Sequence, residues 1–298
     1  MKVQTRSKIC LCISALIMVI ALVMTIAGNG INLGIDFAGG LSMQYDLGTA
    51  NGASNRQATE KVLDDMGLVS TVTEQGSSEV YIRIKDVAEE SIQGLQADFE
   101  TRMKETFTDL KQTGDVSYVG PVAGKTLVTN AILSVLIAAA LMLVYIAIRF
   151  DLNSGLAAVF GLGHDVLIML SFMVLLRAFI EMNSSFIAAM LTIVGYSINN
   201  TIVIFDRIRE NVKKNPAGDR VGIVNQSISE CLGRTINTTL TTLITIVALY
   251  ILGVNSIREF ALPIIIGIVS GVYSANMING YIWALLENKK LARKAAKK

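Results

Sequence analysis

Six long apolar runs punctuate the chain: Ile9–Ala27, Leu127–Ile148, Leu156–Leu176, Phe186–Phe205, Ile236–Leu252 and Phe260–Leu286. Each is about as long as the roughly 20 residues needed to cross a bilayer as a helix. They predict six transmembrane helices. Between the first two runs the pattern changes. Leu41–Leu47 mixes apolar and polar positions like a strand, and Ala58–Met66 places Val62, Leu63 and Met66 on one helical face. Val69–Glu74 is β-branched, and Val80, Ile82 and Ile84 alternate with polar or amphipathic neighbours. Ser91–Leu110 repeats apolar residues at helical spacing, and Asp115–Val119 closes as a strand. The order β-α-β-β-α-β predicts a ferredoxin-like plait. Leu41, Met43 and Tyr45 fit either its core or a substrate-facing surface, because alternation does not say which face is inside.

The fold class expected is therefore an α-helical polytopic membrane protein with an α+β ferredoxin-like domain after its first helix. The domain plan is a first helix over 1–28, an outer domain over 29–125, a five-helix bundle over 126–286 with a cytoplasmic loop 207–232, and a basic tail over 287–298. Val221, Val224, Ile228 and Leu232 form a narrow apolar stripe. It fits either an interfacial amphipathic helix or an extension of the fifth span.

Charge adds the orientation. Residues 41–120 carry 14 of the 24 acids and 7 of the 26 bases, so this module is net −7 and the remainder +9. The basic balance therefore belongs to the membrane part and does not point to nucleic acid. Lys2, Arg6 and Lys8, then Arg149, then Arg207, Arg209, Lys213, Lys214 and Arg220, then the lysine-rich tail, flank alternate ends of the spans. The excess of Lys and Arg on cytoplasmic loops places both termini in the cytoplasm and 29–125 outside. The first run also has some features of a signal peptide, but its apolar stretch is long for one and a retained anchor fits better. Cys10, Cys12 and Cys231 lie in or beside spans, so neither a disulfide framework nor a metal site is expected.

Polar residues inside the spans are the candidate chemistry. His164 and Asp165 are ionisable residues within a span, which marks a functional site or a structural polar pair. Asn199 and Asn200 interrupt the fourth span. Thr238, Thr241, Thr242 and Thr245 recur at steps of three and four on the fifth, beside Arg234. A seam of Asn199 and Asn200 against that threonine row is expected. Gly267, Gly271 and Ala275 make a small-residue face for close helix packing. Asp206, Arg207, Arg209 and Glu210 read as a helix leaving the membrane. The segment Gly120–Lys125 lacks the glycine spacing of a phosphate-binding loop. Gly163-His164-Asp165 lacks the second carboxylate that an intramembrane aspartyl protease requires.

Five stretches together carry a family resemblance: LGIDFAGG at Leu33–Gly40, VGPVAG at Val119–Gly124, VGYSINNTIVIFDRIREN at Val194–Asn211, SECLGRTINTTLTT at Ser229–Thr242 and GVYSA at Gly271–Ala275. In this order along the chain they resemble the SecD/SecF family of the RND superfamily. The signature residues are Gly34, Asp36, Gly39, Gly40, Gly120, Pro121, Gly195, Asp206 and Arg207. The resemblance implies half of an RND-type transporter in a bacterial cytoplasmic membrane, paired with SecD. It implies association with SecYEG, SecA and YajC, and use of the ion-motive force to help unfolded preprotein cross. No catalytic activity, cofactor or metal is implied. The family usually has Asn-Asp where this chain has Asn199-Asn200, and an amide does not titrate. Proton passage would then rest more on an acidic group of SecD tuned by Arg234, or the coupling ion would be sodium. A half of an RND-type small-molecule or lipid exporter is the competing reading.

Overall fold

The computed structural model describes residues 3–49, 52–75, 77–177 and 180–296. The chain divides into two compact units. One comprises Leu33–Ile132 with Glu181–Ser184, the other Met1–Asn32, Leu133–Ile180 and Ser185–Lys298.

The first unit contains the plait. A one-turn helix α2 (Ile35–Ala38) precedes β1 (Gly40–Asp46), α3 (Gly52–Asp65), β2 (Ser70–Gln75), β3 (Glu79–Ile84), α4 (Ile92–Thr106), β4 (Lys111–Gln112) and β5 (Ser117–Val119). The sheet runs β2-β3-β1-β4, with β5 also on β1, and every pairing is antiparallel. Strand β1 is central and pairs with β3 from Leu41↔Ile84 to Asp46↔Glu79. The expected single closing strand is instead two short pieces, joined through Thr113 N–H bonding the Gln44 carbonyl at 3.0 Å. Leu41, Met43 and Tyr45 are all buried, with Leu63, Ile82, Phe99 and Met103 around them. They belong to the core and not to a binding face. Tyr45 packs on Phe99 with ring centroids 5.4 Å apart and its hydroxyl donates to Glu100 Oε1 at 2.9 Å.

Gly39 and Gly40 open β1 with φ of 80° and 136°. A Cβ on Gly40 would lie 2.2 Å from the Ile84 carbonyl oxygen. Both conditions demand glycine: the left-handed backbone and the close strand contact exclude a side chain.

The second unit is helical. Helix α1 (Val3–Ile26) opens it, and α5 (Pro121–Arg149) runs into it from the first unit. It continues through α6 (Leu152–Leu175), α7 (Ser184–Lys214), α8 (Arg220–Leu252), α9 (Asn255–Ser274) and α10 (Gly280–Ala295). Among the described residues, six helices are long and apolar enough to cross a membrane. The sixth spans Ile257–Arg293, because a π-helical turn, Ala275–Asn279, joins α9 to α10 without a break. The apolar stripe at 221–232 is part of α8 itself, a single 33-residue helix. Its first turn is capped by Asp219, whose Oδ2 accepts from Gly222 N–H at 2.8 Å. Buried residues concentrate on α6, α7 and the α9–α10 span. Helices α1, α5 and α8 leave large apolar side chains such as Leu16, Leu136 and Ile244 exposed, as suits lipid or a partner.

Candidate functional site

Successive residues on a helix point about 100° apart. His164 and Asp165 on α6 therefore reach different neighbours. Asp165 is fully buried. Its Oδ2 accepts from Ser197 Oγ of α7 at 2.6 Å and from Ser274 Oγ of α9 at 2.9 Å. Its Oδ1 accepts from Ser270 Oγ at 2.7 Å and lies 3.0 Å from His164 Nδ1. Ser270 and Ser274 are four apart, so one face of α9 presents both hydroxyls. A carboxylate away from water is costly unless its lone pairs are filled, and here four groups fill them.

His164 carries the network onward. Its Nε2 lies 2.8 Å from Ser14 Oγ on α1 and 2.7 Å from Tyr273 OH on α9. Ser14 Oγ and Tyr273 OH also bond each other, and Ser14 bonds the Cys10 carbonyl. The imidazole is thus bracketed by a carboxylate on one nitrogen and two hydroxyls on the other. The ring thereby links the Asp165 carboxylate on α6 to hydroxyls on α1 and α9. A groove of about 310 Å³ between α1 and α6 reaches Ser14 and His164. A second, of about 470 Å³ along α1 and α9, reaches Cys10 and Tyr273.

The amide-threonine seam takes a different form from the one expected. Asn200 is buried, and its Nδ2 meets Thr239 Oγ1 at 3.4 Å, whereas Asn199 is exposed. Thr238, Thr241 and Arg234 face outward on α8, and Thr242 is half-buried. The Thr238, Thr241 and Thr242 hydroxyls bond carbonyls of their own helix at 2.9–3.1 Å. The 100° step decides this: Thr239 and Thr235 are the threonines turned inward. Thr235 Oγ1 meets Asn276 Oδ1 at 3.3 Å. Tyr196 OH lies 3.2 Å from the Thr238 carbonyl oxygen and 3.3 Å from Thr242 Oγ1, with one hydrogen to share between them. Asn279, in the π-helical turn, donates to Thr201 Oγ1 at 2.9 Å, while its buried Oδ1 has no hydrogen-bond partner among the described residues. π-Helical turns inside α-helices are frequent at functional sites.

The remaining signature residues lie elsewhere. Gly34, Asp36, Gly39, Gly40 and Gly120 belong to the first unit with Pro121, which opens α5. Gly195 sits on α7 with open space about it. Asp206 pairs with Arg149 at 3.5 Å, and Arg207 bridges Glu210 and Glu230, tying α7 to α8. These exposed pairs anchor helix ends and contribute little each. Of the expected site residues, the fold brings together His164 and Asp165 at one centre and Asn200 at another. Ser14, Ser197, Thr239 and Tyr273 complete these centres. The i, i+3, i+4 run Ser270-Tyr273-Ser274 was the available sequence signal; Ser197 had only its place in the Val194–Asn211 stretch, and Ser14 carried none.

Comparison with known proteins bears on the family. The profile of "Protein export membrane protein SecD/SecF, C-terminal" matches residues 98–289, and that of the "SecD/SecF GG Motif" matches residues 25–50. The chain is 37% identical over 289 residues to the protein translocase subunit SecF of Endomicrobium trichonymphae, covering 94% of this chain and 90% of that one. It is 36% identical over 286 residues to the SecF of Thermodesulfovibrio yellowstonii, covering 95% and 92%. The crystal structure of SecDF from Thermus thermophilus, a translocon-associated membrane protein, superposes with a TM-score of 0.80 at 33% identity. That match covers 95% of this chain and 38% of the longer SecDF chain. With one family profile matching well over half its residues and full-length relatives above 30% identity, this membrane protein belongs to the SecD/SecF family of protein-export membrane proteins.

Proposed function

We propose that this chain is the SecF-type half of a Sec export pair, which joins a SecD half and uses an ion gradient to help preprotein leave the SecYEG channel after SecA has driven it in. The positive charges flanking the spans support a cytoplasmic location for both termini and an extracytoplasmic one for the plait. The observation that carries the coupling is the Asp165 carboxylate, enclosed by Ser197, Ser270, Ser274 and His164 from three helices inside the bundle. An ionisable group so placed responds to an ion and, through its partners, moves more than one helix. Asn200 orients its neighbours and does not titrate, so the ion-sensitive group of this half is Asp165 acting with His164. Arg234, exposed on α8, is available to a carboxylate of the SecD half.

The test is completion of preprotein translocation in vesicles containing SecYEG, SecA and SecD, with and without this chain, under a proton or a sodium gradient. The expected result is a gradient-dependent gain that requires this chain and is lost in Asp165→Asn. The effective gradient names the ion. No gain under either gradient overturns the reading and favours an RND-type exporter half.

A further inference from the structure

The segment between α1 and β1 holds the outer ends of two membrane helices. Leu33 pairs with Met182 in an isolated parallel bridge, and Gly34 N–H donates to the Met182 carbonyl at 2.8 Å. A Cβ on Gly34 would lie 3.3 Å from that oxygen and 3.4 Å from the Asn183 Cβ, so the two strands of chain are in close contact. Asp36 Oδ2 accepts from the Ser184 backbone N–H at 2.9 Å and also from the Ser184 hydroxyl. Ser184 is the first residue of α7. The Asp36 carboxylate therefore fills an otherwise unpaired N–H and places negative charge at the positive end of that helix. On β3, Arg83 Nη1 lies 2.9 Å from Glu181 Oε2, with both side chains buried. The same one-turn helix α2 reaches α5, for a Cβ on Gly124 would lie 2.9 Å from the Phe37 carbonyl oxygen.

All these contacts lie within the plait-containing unit, yet they end on residues that continue as membrane helices. Ser184 and Ser197 are thirteen residues apart on α7, about 20 Å of unbroken helix. Ser197 in turn holds the Asp165 carboxylate. Breaking a buried ion pair by removing one partner is costly, so Arg83 favours Glu181 staying against β3.

Given the export function proposed above, we infer that Arg83, Glu181 and Asp36 are positioning residues that fix the start of α7 to the plait, so that ion occupancy at Asp165 and displacement of the plait are coupled through one helix. The LGIDFAGG signature then serves mechanical transmission and not substrate binding.

The test uses the full chain with SecD, SecYEG and SecA in vesicles. It records gradient-driven translocation, ion entry by an entrapped indicator, and co-purification with SecD. Glu181→Gln is expected to cut the gradient-dependent gain about ten-fold, the size of a typical coupling change, while ion entry and co-purification persist. Leu33→Cys with Met182→Cys, oxidised in the Glu181→Gln chain after replacement of the native cysteines, is expected to restore the gain, and a reductant to remove it again. Unchanged gain in Glu181→Gln, gain and ion entry falling together, or no rescue by the cross-link each overturn the inference. Absence of any gain in the unaltered chain instead overturns the export reading.

Discussion

Removing the Asp165 carboxylate measures what its hydrogen bonds contribute to the bundle. In Asp165→Ala, Ser197, Ser270 and His164 Nδ1 lose their acceptor, whereas Ser274 retains the Gly271 carbonyl at 3.2 Å. Each buried group left unpaired costs about 1–3 kcal/mol. Serine hydroxyls recover part of that by turning to a carbonyl of their own helix. The net destabilisation expected is about 3–5 kcal/mol. In Asp165→Asn the shape is kept, one oxygen still accepts two bonds, and the hydroxyls on the other side turn to accept. Charge-assisted bonds are roughly twice as strong as neutral ones, so the expected loss is about 1–2 kcal/mol. Trp283, the only tryptophan, lies buried in α10 and reports on the bundle. Its emission in mixed micelles, titrated with a denaturing detergent, gives both values. An alanine variant as stable as the unaltered chain would refute the idea that the four contacts support the bundle. An asparagine variant as damaged as alanine would show that charge, and not hydrogen-bonding capacity, is what the site requires.

Gly161→Ala places a Cβ 2.2 Å from Asn279 Oδ1, so the amide must swing off Thr201; the expected cost is about 1–3 kcal/mol by the same titration. Gly40→Ala must open the β1–β3 contact at Ile84 and adopt an unfavourable φ, and is expected to lower the yield of protease-resistant plait in limited proteolysis of the full chain. Burial, and then the hydrogen bond to Glu100, raise the Tyr45 hydroxyl above the ordinary tyrosine value of 10.0. A proton held more tightly in the folded state gives stability that is complete below pH 10 and lost as pH rises beyond it. The alkaline unfolding of the full chain, followed by proteolysis of the plait, should therefore be less steep in Tyr45→Phe. Arg234→Ala, on the exposed face of α8, should leave the stability of the isolated chain within about 0.5 kcal/mol. A larger change would mean that Arg234 supports the fold of this chain by itself.

The spans were legible because each apolar run is long enough to exclude other readings. The plait was legible because strand and helix periods alternate in a recognisable order. The family was legible in five local motifs, where glycines and charges sit close together in the chain. His164 and Asp165 stood out because ionisable residues are rare in such surroundings. Their partners did not. Ser14 is 150 residues from His164, and Ser197 is an ordinary small polar residue on a long helix. A single serine in a span is cheap, and nothing local separates one that bonds its own helix from one that reaches a carboxylate.

The threonine row illustrates the same limit. Its three- and four-residue spacing correctly puts Thr238, Thr241, Thr242 and Thr245 on one side of α8, but the inward side is that of Thr235 and Thr239. Periodicity determines which residues share a face; the neighbouring helices determine which face is buried. Likewise the 221–232 stripe announced a helix, and only the continuous hydrogen bonding of α8 decided that it was not a separate one. The sequence by itself determined the number of spans, the plait and the family, because these depend on local composition and period. Only the tertiary structure decided that Asp165 collects hydroxyls from two other helices and that Asp36 and Glu181 hold the start of α7, because those contacts join residues far apart in the chain whose meeting depends on how the helices and sheet pack.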